Sequence, residues 1–238
     1  MQTWLRHTLS AVLIAGTITG VVFTSRAERS LRPDYLCRKL EVEFADEYRF
    51  VNAEDVRDII TARYGNFFGA PVDSLDLLKI EASLDTMTAI VKSQAWTTDD
   101  GILHVQITQR KPVVRFMNGE TGHYVDETGY VIPLFQRYTA ATPVIYGPAP
   151  QDSAWVADAI AMVEQMTPYW TDRVDSIGVD VNGYLTLKAG GPEEILFGSP
   201  SGAAEKLRKL RSYTDIIRPK GNEYNIIDLT YKDQIICK

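Results

Sequence analysis

Few residues of this 238-residue chain have the types and spacing needed for chemistry, and histidine is the first of those types to consider. The three histidines are His7, His104 and His123, whereas a metal site needs several ligands that meet in space. They lie far apart in the sequence, and His104 falls within a predicted strand. A solvated or hydrogen-bonded role is the simpler interpretation for each, so the histidines predict no metal site.

Nucleophilic, phosphate-binding and acid–base sites also lack their usual settings. Residues 198–202 read Gly-Ser-Pro-Ser-Gly, without the strand–turn–helix setting that exposes a catalytic serine. Residues 189–192, Ala-Gly-Gly-Pro, are typical of a turn between strands and not of a phosphate loop. The carboxylate pairs Asp99-Asp100 and Glu193-Glu194 lie at predicted turns, where solvation explains both. The sequence therefore predicts a protein that is not an enzyme and needs no cofactor.

Composition and charge argue against a nucleic-acid binder. Hydrophobic residues make up 45% of the chain and charged residues 24%, which is ordinary for a globular protein. The formal net charge is −6, whereas binding to phosphates requires a basic surface. One basic run, from Lys206 to Arg211, has helical spacing and is interpreted as a solvated helix face. Since no catalytic site is predicted either, function is expected in surfaces that bind.

The first 36 residues predict a membrane anchor and its flanks. Residues 8–25 carry no charge, and as a helix they would span about 27 Å, just enough for a bilayer. We predict a short tail over 1–7, a single transmembrane helix over 8–25 and a polar tether over 26–36. A cleaved signal peptide is the alternative, but Arg26 separates the small residues Ser25 and Ala27 and makes a poor cleavage site.

The next segment predicts a module with the element order β-α-α-β-β. Residues 39–44 alternate as a strand, and a helix follows with Asn52 as its N-cap, Asp55 as its capping-box acid and Gly65 at its end. Residues 73–75 start the second helix, and its pattern continues helically to Ile90. A strand around residues 95–96, a turn at 99–101 and a strand from 102 that Pro112 closes complete the module.

The remainder of the chain is mainly β in pattern, with two helices. A hairpin is predicted over 124–132 with Gly129 in its turn, and a short strand follows over 143–147. Helices are predicted over 152–166 and 201–217, the second with Tyr213 on its inward face. Three strands lie between the helices, at 174–181, 184–188 and 194–197, and a strand-like segment covers 224–237. The predicted fold class is therefore α+β.

The residue patterns of several segments resemble those of the FtsQ/DivIB family of bacterial division proteins. The pattern G-x-L-x-V-x-I-x-Q-R-x-P-V-x-R from Gly101 is similar to the POTRA domain of that family. The patterns Y-x-D-x-x-G-x-x-x-P from Tyr124, P-V-I-Y-G from Pro143 and I-D-L-T-Y from Ile227 are similar to its β-domain. One departure is Thr230, because the terminal strand of the family usually reads D-L-R-Y.

The resemblance implies a POTRA domain over 37–112 and an FtsQ-type β-domain over 113–238. It further implies a bitopic scaffold that assembles FtsB-like and FtsL-like division proteins at the septum and controls septal peptidoglycan synthesis. The tail would then be cytoplasmic and the body periplasmic, with the anchor in the inner membrane. Charge counting alone favours the opposite orientation, since Arg26, Arg29 and Arg32 follow the anchor.

The resemblance also implies where partners bind. A terminal strand offers unpaired backbone groups to another chain, and the candidates there are Tyr231, Gln234 and Ile235, with Tyr213 on the flanking helix. Division-site recruitment is linked to the POTRA domain, whose motif has three recognisable residues in this chain: Gln109, Arg110 and Pro112. A purely structural role for these three is equally open.

Two alternatives remain open at the level of sequence. In an exported protein Cys37 and Cys237 would stabilise the fold by about 4–5 kcal/mol if they formed a disulfide, because the closed loop is very long. Otherwise they are separate thiols, with Cys237 in a frayed tail. The alternative function is that of a POTRA-bearing component of outer-membrane protein assembly or secretion, although such proteins carry tandem modules and this chain has one.

Overall fold

The computed structural model describes residues 35–166, 170, 173–221 and 224–238. They form two compact units, one ending at Gln109 and the other beginning at Arg110. The predicted tail and anchor, and the tether as far as residue 34, lie outside the described residues. Across the described ranges, no helix has both the length and the apolar composition needed to cross a membrane.

The first unit has the predicted order β-α-α-β-β. Its elements are β1 (Lys39–Phe44), α1 (Ala53–Arg63), α2 (Leu77–Leu84), β2 (Ile90–Thr98) and β3 (Ile102–Gln109). The strands form a sheet in the order β1-β3-β2, with β1 parallel and β2 antiparallel to the central β3. Every second residue of β3, from Leu103 to Ile107, is fully buried, as alternation predicted.

The start of α1 confirms the predicted capping box. The Asn52 side chain accepts hydrogen bonds from the backbone N–H groups of Glu54 and Asp55, each at 2.9 Å. In return, the Asp55 carboxylate accepts the Asn52 N–H at 3.0 Å. Gly65 follows the C-cap residue with φ of +109°, so the predicted end of the helix is also confirmed.

The boundaries of α2 differ from the prediction. Its N-cap is Asp76, and Val72–Ser74 form a separate 3₁₀ turn. The helix ends at Leu84 because the Asp85 carboxylate accepts the N–H and hydroxyl of Ser93, at 3.0 and 2.7 Å, and turns the chain into β2. Ile90, which the sequence placed on the helix, is the first residue of that strand.

The second unit is one sheet with two helices on one face. Its elements are β4 (Pro112–Asn118), β5 (Thr121–Asp126), β6 (Val131–Pro133), β7 (Val144–Tyr146), α3 (Ser153–Met166), β8 (Ser176–Val179), β9 (Leu185–Lys188), β10 (Glu194–Gly198), α4 (Ala203–Ser212), β11 (Ile226–Asp228) and β12 (Ile236–Cys237). The strand order is β12-β11-β10-β9-β8-β7-β4-β5-β6. Pro112 therefore opens β4 instead of closing β3, a position that needs no ladder hydrogen bond from its nitrogen.

The core of the second unit lies between this sheet and its helices. Alternate residues of the strands, such as Val114, Ile145 and Leu187, pack against Met162 of α3 and Leu210 of α4. All five side chains are fully buried. The two end strands of the sheet in the described residues are β12 and β6, and each pairs with one neighbouring strand.

Two predicted elements near the end of the chain are each divided in the structure. The helix expected over 201–217 is α4 followed by one π-type turn, Tyr213–Ile217, and a 3₁₀ turn, Arg218–Lys220. The strand-like segment 224–237 is two short antiparallel strands, β11 and β12. They are joined by residues 229–235, which we call the C-terminal loop.

Candidate partner-binding edge

The β12 strand forms one edge of the nine-stranded sheet in the described part of the chain. Lys238 and Ile226 exchange two backbone hydrogen bonds, both of 3.0 Å. Along an antiparallel ladder, residue pairs that exchange backbone hydrogen bonds alternate with pairs that do not. The next pair, Cys237 opposite Ile227, is therefore one without mutual hydrogen bonds. The N–H and C=O of Cys237 therefore point away from β11, in the direction from which another strand would pair.

The C-terminal loop begins at a bend made by local hydrogen bonds. The Asp228 carboxylate accepts the Thr230 N–H at 3.0 Å and the Thr230 hydroxyl at 2.6 Å. Asp228 is only 8% exposed, so this bend is fixed against the body of the unit. The bend ends β11 and directs the following residues out of the sheet.

The three predicted partner-binding residues of the terminal segment lie in or at the end of this loop and not on one continuous strand. Tyr231 is 47% exposed and Gln234 is also exposed, so both side chains are accessible. Ile235 is partly buried and packs against the core. The loop that leads into β12 thus has two accessible side chains, Tyr231 and Gln234.

An ion pair on α4 holds the C-terminal loop in place. The Lys209 ammonium lies 2.8 Å from the Glu205 carboxylate and donates a hydrogen bond to the Tyr231 carbonyl at 2.6 Å. The same Glu205 accepts the Asp233 N–H at 3.4 Å. Hydrogen bonding to Lys209, followed by that to the Asp233 backbone, lowers the pKa of Glu205. The middle of the loop is therefore tied to α4 at two residues, Tyr231 and Asp233.

The basic run on α4 is consequently not the fully solvated face that the sequence predicted. The Lys209 side chain is 11% exposed, and Lys206 donates to the Ser199 carbonyl at 2.6 Å. Burial is the largest cause of the lowered pKa of Lys206. Arg208 and Arg211 are the members of the run that remain exposed.

The turn of the C-terminal loop contains backbone strain at Asp233. Its φ of 59° is the one positive value of a non-glycine residue in the described part of the chain. We expect Asp233→Gly to be more stable than Asp233→Ala by about 1–2 kcal/mol, because only glycine enters the left-handed region without a steric penalty. Urea unfolding of the two variants measures the difference, and equal stabilities would contradict the assigned turn.

Tyr213, predicted to flank the binding surface, is buried and cannot reach a partner. Its exposed fraction is 1%, and its hydroxyl is hydrogen-bonded to Glu193. Burial, ahead of this hydrogen bond, raises the pKa of Tyr213. The helical spacing that aligned Tyr213 with the apolar face of α4 was the signal that should have excluded it.

Glu193 is also unlike the solvated turn residue that the sequence predicted. It is 3% exposed, and the Arg218 guanidinium donates to its carboxylate through Nε at 2.6 Å and also approaches it through Nη2. Nη2 of Arg218 donates to the Ala189 carbonyl at 3.0 Å as well. Glu193 thus joins the turns at 213–220 to the start of β10, which neighbours β11 in the sheet.

Comparison with known protein families decides the affiliation of the chain. A model described as "FtsQ/DivIB, C-terminal related" matches residues 111–238, which is more than half of the chain. The chain belongs to the FtsQ/DivIB family. A model described as a POTRA-like domain matches residues 35–108. No curated protein matches this member of the family.

In this FtsQ/DivIB protein the POTRA motif residue Gln109 is engaged inside the first unit. It is 3% exposed, and its side-chain amide donates to Asp46 at 2.9 Å and to the Tyr48 carbonyl at 2.6 Å. The amide oxygen accepts the Val51 N–H at 3.0 Å. These contacts fix the segment between β1 and α1 to the end of β3, which is a structural role.

Arg110, the next motif residue, organises the β5–β6 hairpin of the FtsQ/DivIB-related unit. It donates to the Asp126 carboxylate at 2.9 Å and lies 3.6 Å from the centre of the Tyr130 ring. Asp126 also accepts the N–H and hydroxyl of Thr128. Burial alone would raise the pKa of Asp126, but these hydrogen bonds outweigh it and lower the pKa. The third motif residue, Pro112, is buried.

The departure from the FtsQ/DivIB pattern at Thr230 has a local explanation. Its hydroxyl completes the bend at Asp228, and Thr128 does the same at Asp126. Both bends have the sequence Asp-x-Thr. Arginine at position 230 would keep the backbone hydrogen bond and lose the hydroxyl one.

Cys37 belongs to the ordered fold of the first unit and Cys237 to that of the second. Cys37 is 1% exposed, and burial raises its pKa. Cys237 pairs with Ile227 in the β-ladder, so the frayed tail expected for it is wrong. A disulfide between them stays a prediction. Among the described residues, no group of three or more His, Cys, Asp or Glu side chains is arranged to hold a metal ion.

Proposed function

We propose that this FtsQ/DivIB protein is a non-catalytic, bitopic division scaffold that binds an FtsB-like partner at β12 and, through it, an FtsL-like partner. The complex acts at the septum and controls septal peptidoglycan synthesis. Residues 8–25 anchor the protein in the inner membrane, with residues 1–7 in the cytoplasm and the two units in the periplasm. Family membership supports the division role, and the open edge of β12 supports the mode of binding.

The observation that carries the proposal is the outward-facing backbone of Cys237. A partner segment in extended conformation adds to such an edge through main-chain hydrogen bonds and gains specificity from side chains next to it. Tyr231 and Gln234 are accessible side chains of the C-terminal loop, which leads directly into β12. Affinity then comes from the edge and selectivity from the C-terminal loop.

We expect Tyr231→Ala to weaken binding of the C-terminal segment of the FtsB-like protein of the same organism by about tenfold, as is typical for an exposed aromatic anchor. Ile235→Glu should weaken it further, although Ile235 also packs against the core, so its effect on folding must be measured in parallel. Isothermal titration calorimetry with the full chain measures the affinity.

Val181→Ala is the matched control, because Val181 is 80% exposed and lies in the β8–β9 turn away from the edge. Circular dichroism shows whether each variant keeps its fold. Wild-type affinity in a folded Tyr231→Ala variant would remove the C-terminal loop from the proposed site.

A further inference from the structure

A second open surface lies on the helix-bearing face of the second unit, where α3 adjoins the β5–β6 end of the sheet. It is a groove of about 460 Å³, which we call the α3 groove. Its apolar lining comes from the sheet through Phe116, Val125 and Val131, and from α3 through Val156 and Ile160.

The groove marks the place where the helical layer of this face stops. Val125 and Val131 are opposite each other on neighbouring strands and so lie on the same face of the sheet. Val125, next to α3, is 1% exposed, whereas Val131 is 53% exposed. Since α3 and α4 cover the face as far as Val125, a further helix packed beside α3 would cover Val131. An extra strand would pair with the edge of β6 and leave the groove open.

The charged residues that line the groove are all negative. Among the described residues that line it, Glu127 and Glu164 are the only carboxylates, and none is lysine or arginine. Neither glutamate has an ion-pair partner in the described part of the chain, and both are exposed. His123 also lines the groove, and burial lowers its pKa, so it stays neutral at pH 7 and does not offset the two negative charges.

We infer that the α3 groove docks an amphipathic helix of a partner protein, with its apolar stripe on Val131 and the half-buried Val156 and basic side chains at Glu127 and Glu164. This surface is separate from β12 and does not depend on the function proposed for that edge.

The test uses the full chain in neutral detergent and two fluorescent helical peptides with the same leucine stripe. One peptide carries lysines beside the stripe and the other carries glutamates. Fluorescence anisotropy, with the signal of empty micelles subtracted, should show that the lysine peptide binds about tenfold more tightly, the effect of two accessible charge pairs.

Variants locate the site. Glu127→Gln with Glu164→Gln should abolish the preference for the lysine peptide, and Val131→Asp should weaken binding of the glutamate peptide to the apolar lining. The matched control is Glu47→Gln with Glu120→Gln, which removes two exposed carboxylates elsewhere and should leave the preference intact. Equal binding of the two peptides, or an equal effect of the control pair, would overturn the inference.

Discussion

Glu193→Ala is expected to lower the free energy of unfolding by about 3 kcal/mol, at the lower end for a broken buried ion pair. The carboxylate is 3% exposed and Arg218 is its cationic partner. Without Glu193, the Arg218 guanidinium loses its counter-charge, and the buried hydroxyl of Tyr213 loses its acceptor. The Arg218 side chain is 30% exposed and can turn partly to solvent, which keeps the effect from being larger.

The adjacent carboxylate provides the control for this prediction. Glu194 is exposed and opens β10, so Glu194→Ala should change stability by less than about 0.5 kcal/mol. Urea unfolding of both variants, followed by circular dichroism, measures the difference. Similar stabilities for the two alanine variants would mean that the Glu193–Arg218 pair does not hold the 213–220 turns to the sheet.

Gly147→Ala is expected to be similarly severe, lowering the free energy of unfolding by about 3 kcal/mol through the sum of backbone strain and overpacking. Gly147 has φ of +126°, and a Cβ atom at this position would collide with the carbonyl oxygen of Val179. It follows β7 and donates its N–H to the Met117 carbonyl at 2.8 Å. Moving it aside would disturb the centre of the nine-stranded sheet, where β7 lies between β4 and β8.

Gly119 separates the two causes of this effect. It also has a positive φ, of +61°, but a Cβ atom added there meets nothing within 4 Å. Gly119→Ala should therefore lower the free energy of unfolding by about 1 kcal/mol, which is the backbone contribution alone. Thermal and urea unfolding of the two variants give the comparison, and equal losses would show that the close approach to Val179 is unimportant.

Local patterns predicted the elements of both units well, and they did so where the determining contacts are close in sequence. The capping box at Asn52 and Asp55 and the turn at Gly129 each involve residues within a few positions of one another. The break in the terminal strand was missed, although its signal is local too. An Asp-x-Thr sequence bends the chain at Asp228, and the same sequence pattern bends it at Asp126, in the hairpin that was predicted correctly.

Contacts between distant parts of the sequence account for the remaining errors. Glu193 and Glu194 are indistinguishable as a sequence pair, and only the return of the chain at Arg218 buries one and leaves the other solvated. Lys209 similarly meets the Tyr231 carbonyl because α4 packs beside the C-terminal loop. The terminal segment does form an edge strand of the sheet, and its role in partner binding stays a prediction. The contacts that support this segment were not foreseeable from periodicity.

The strand order has a consequence for how many proteins the second unit can hold at once. The edge strand β12 and the groove strand β5 are seven strand spacings apart in the sheet, about 34 Å at 4.8 Å per spacing. Ligands at the two positions would neither touch nor compete, and their binding free energies would add. The unit would then hold both partners at the same time. The amount of this ternary complex would depend on the two separate affinities, because the partners would not compete for one site.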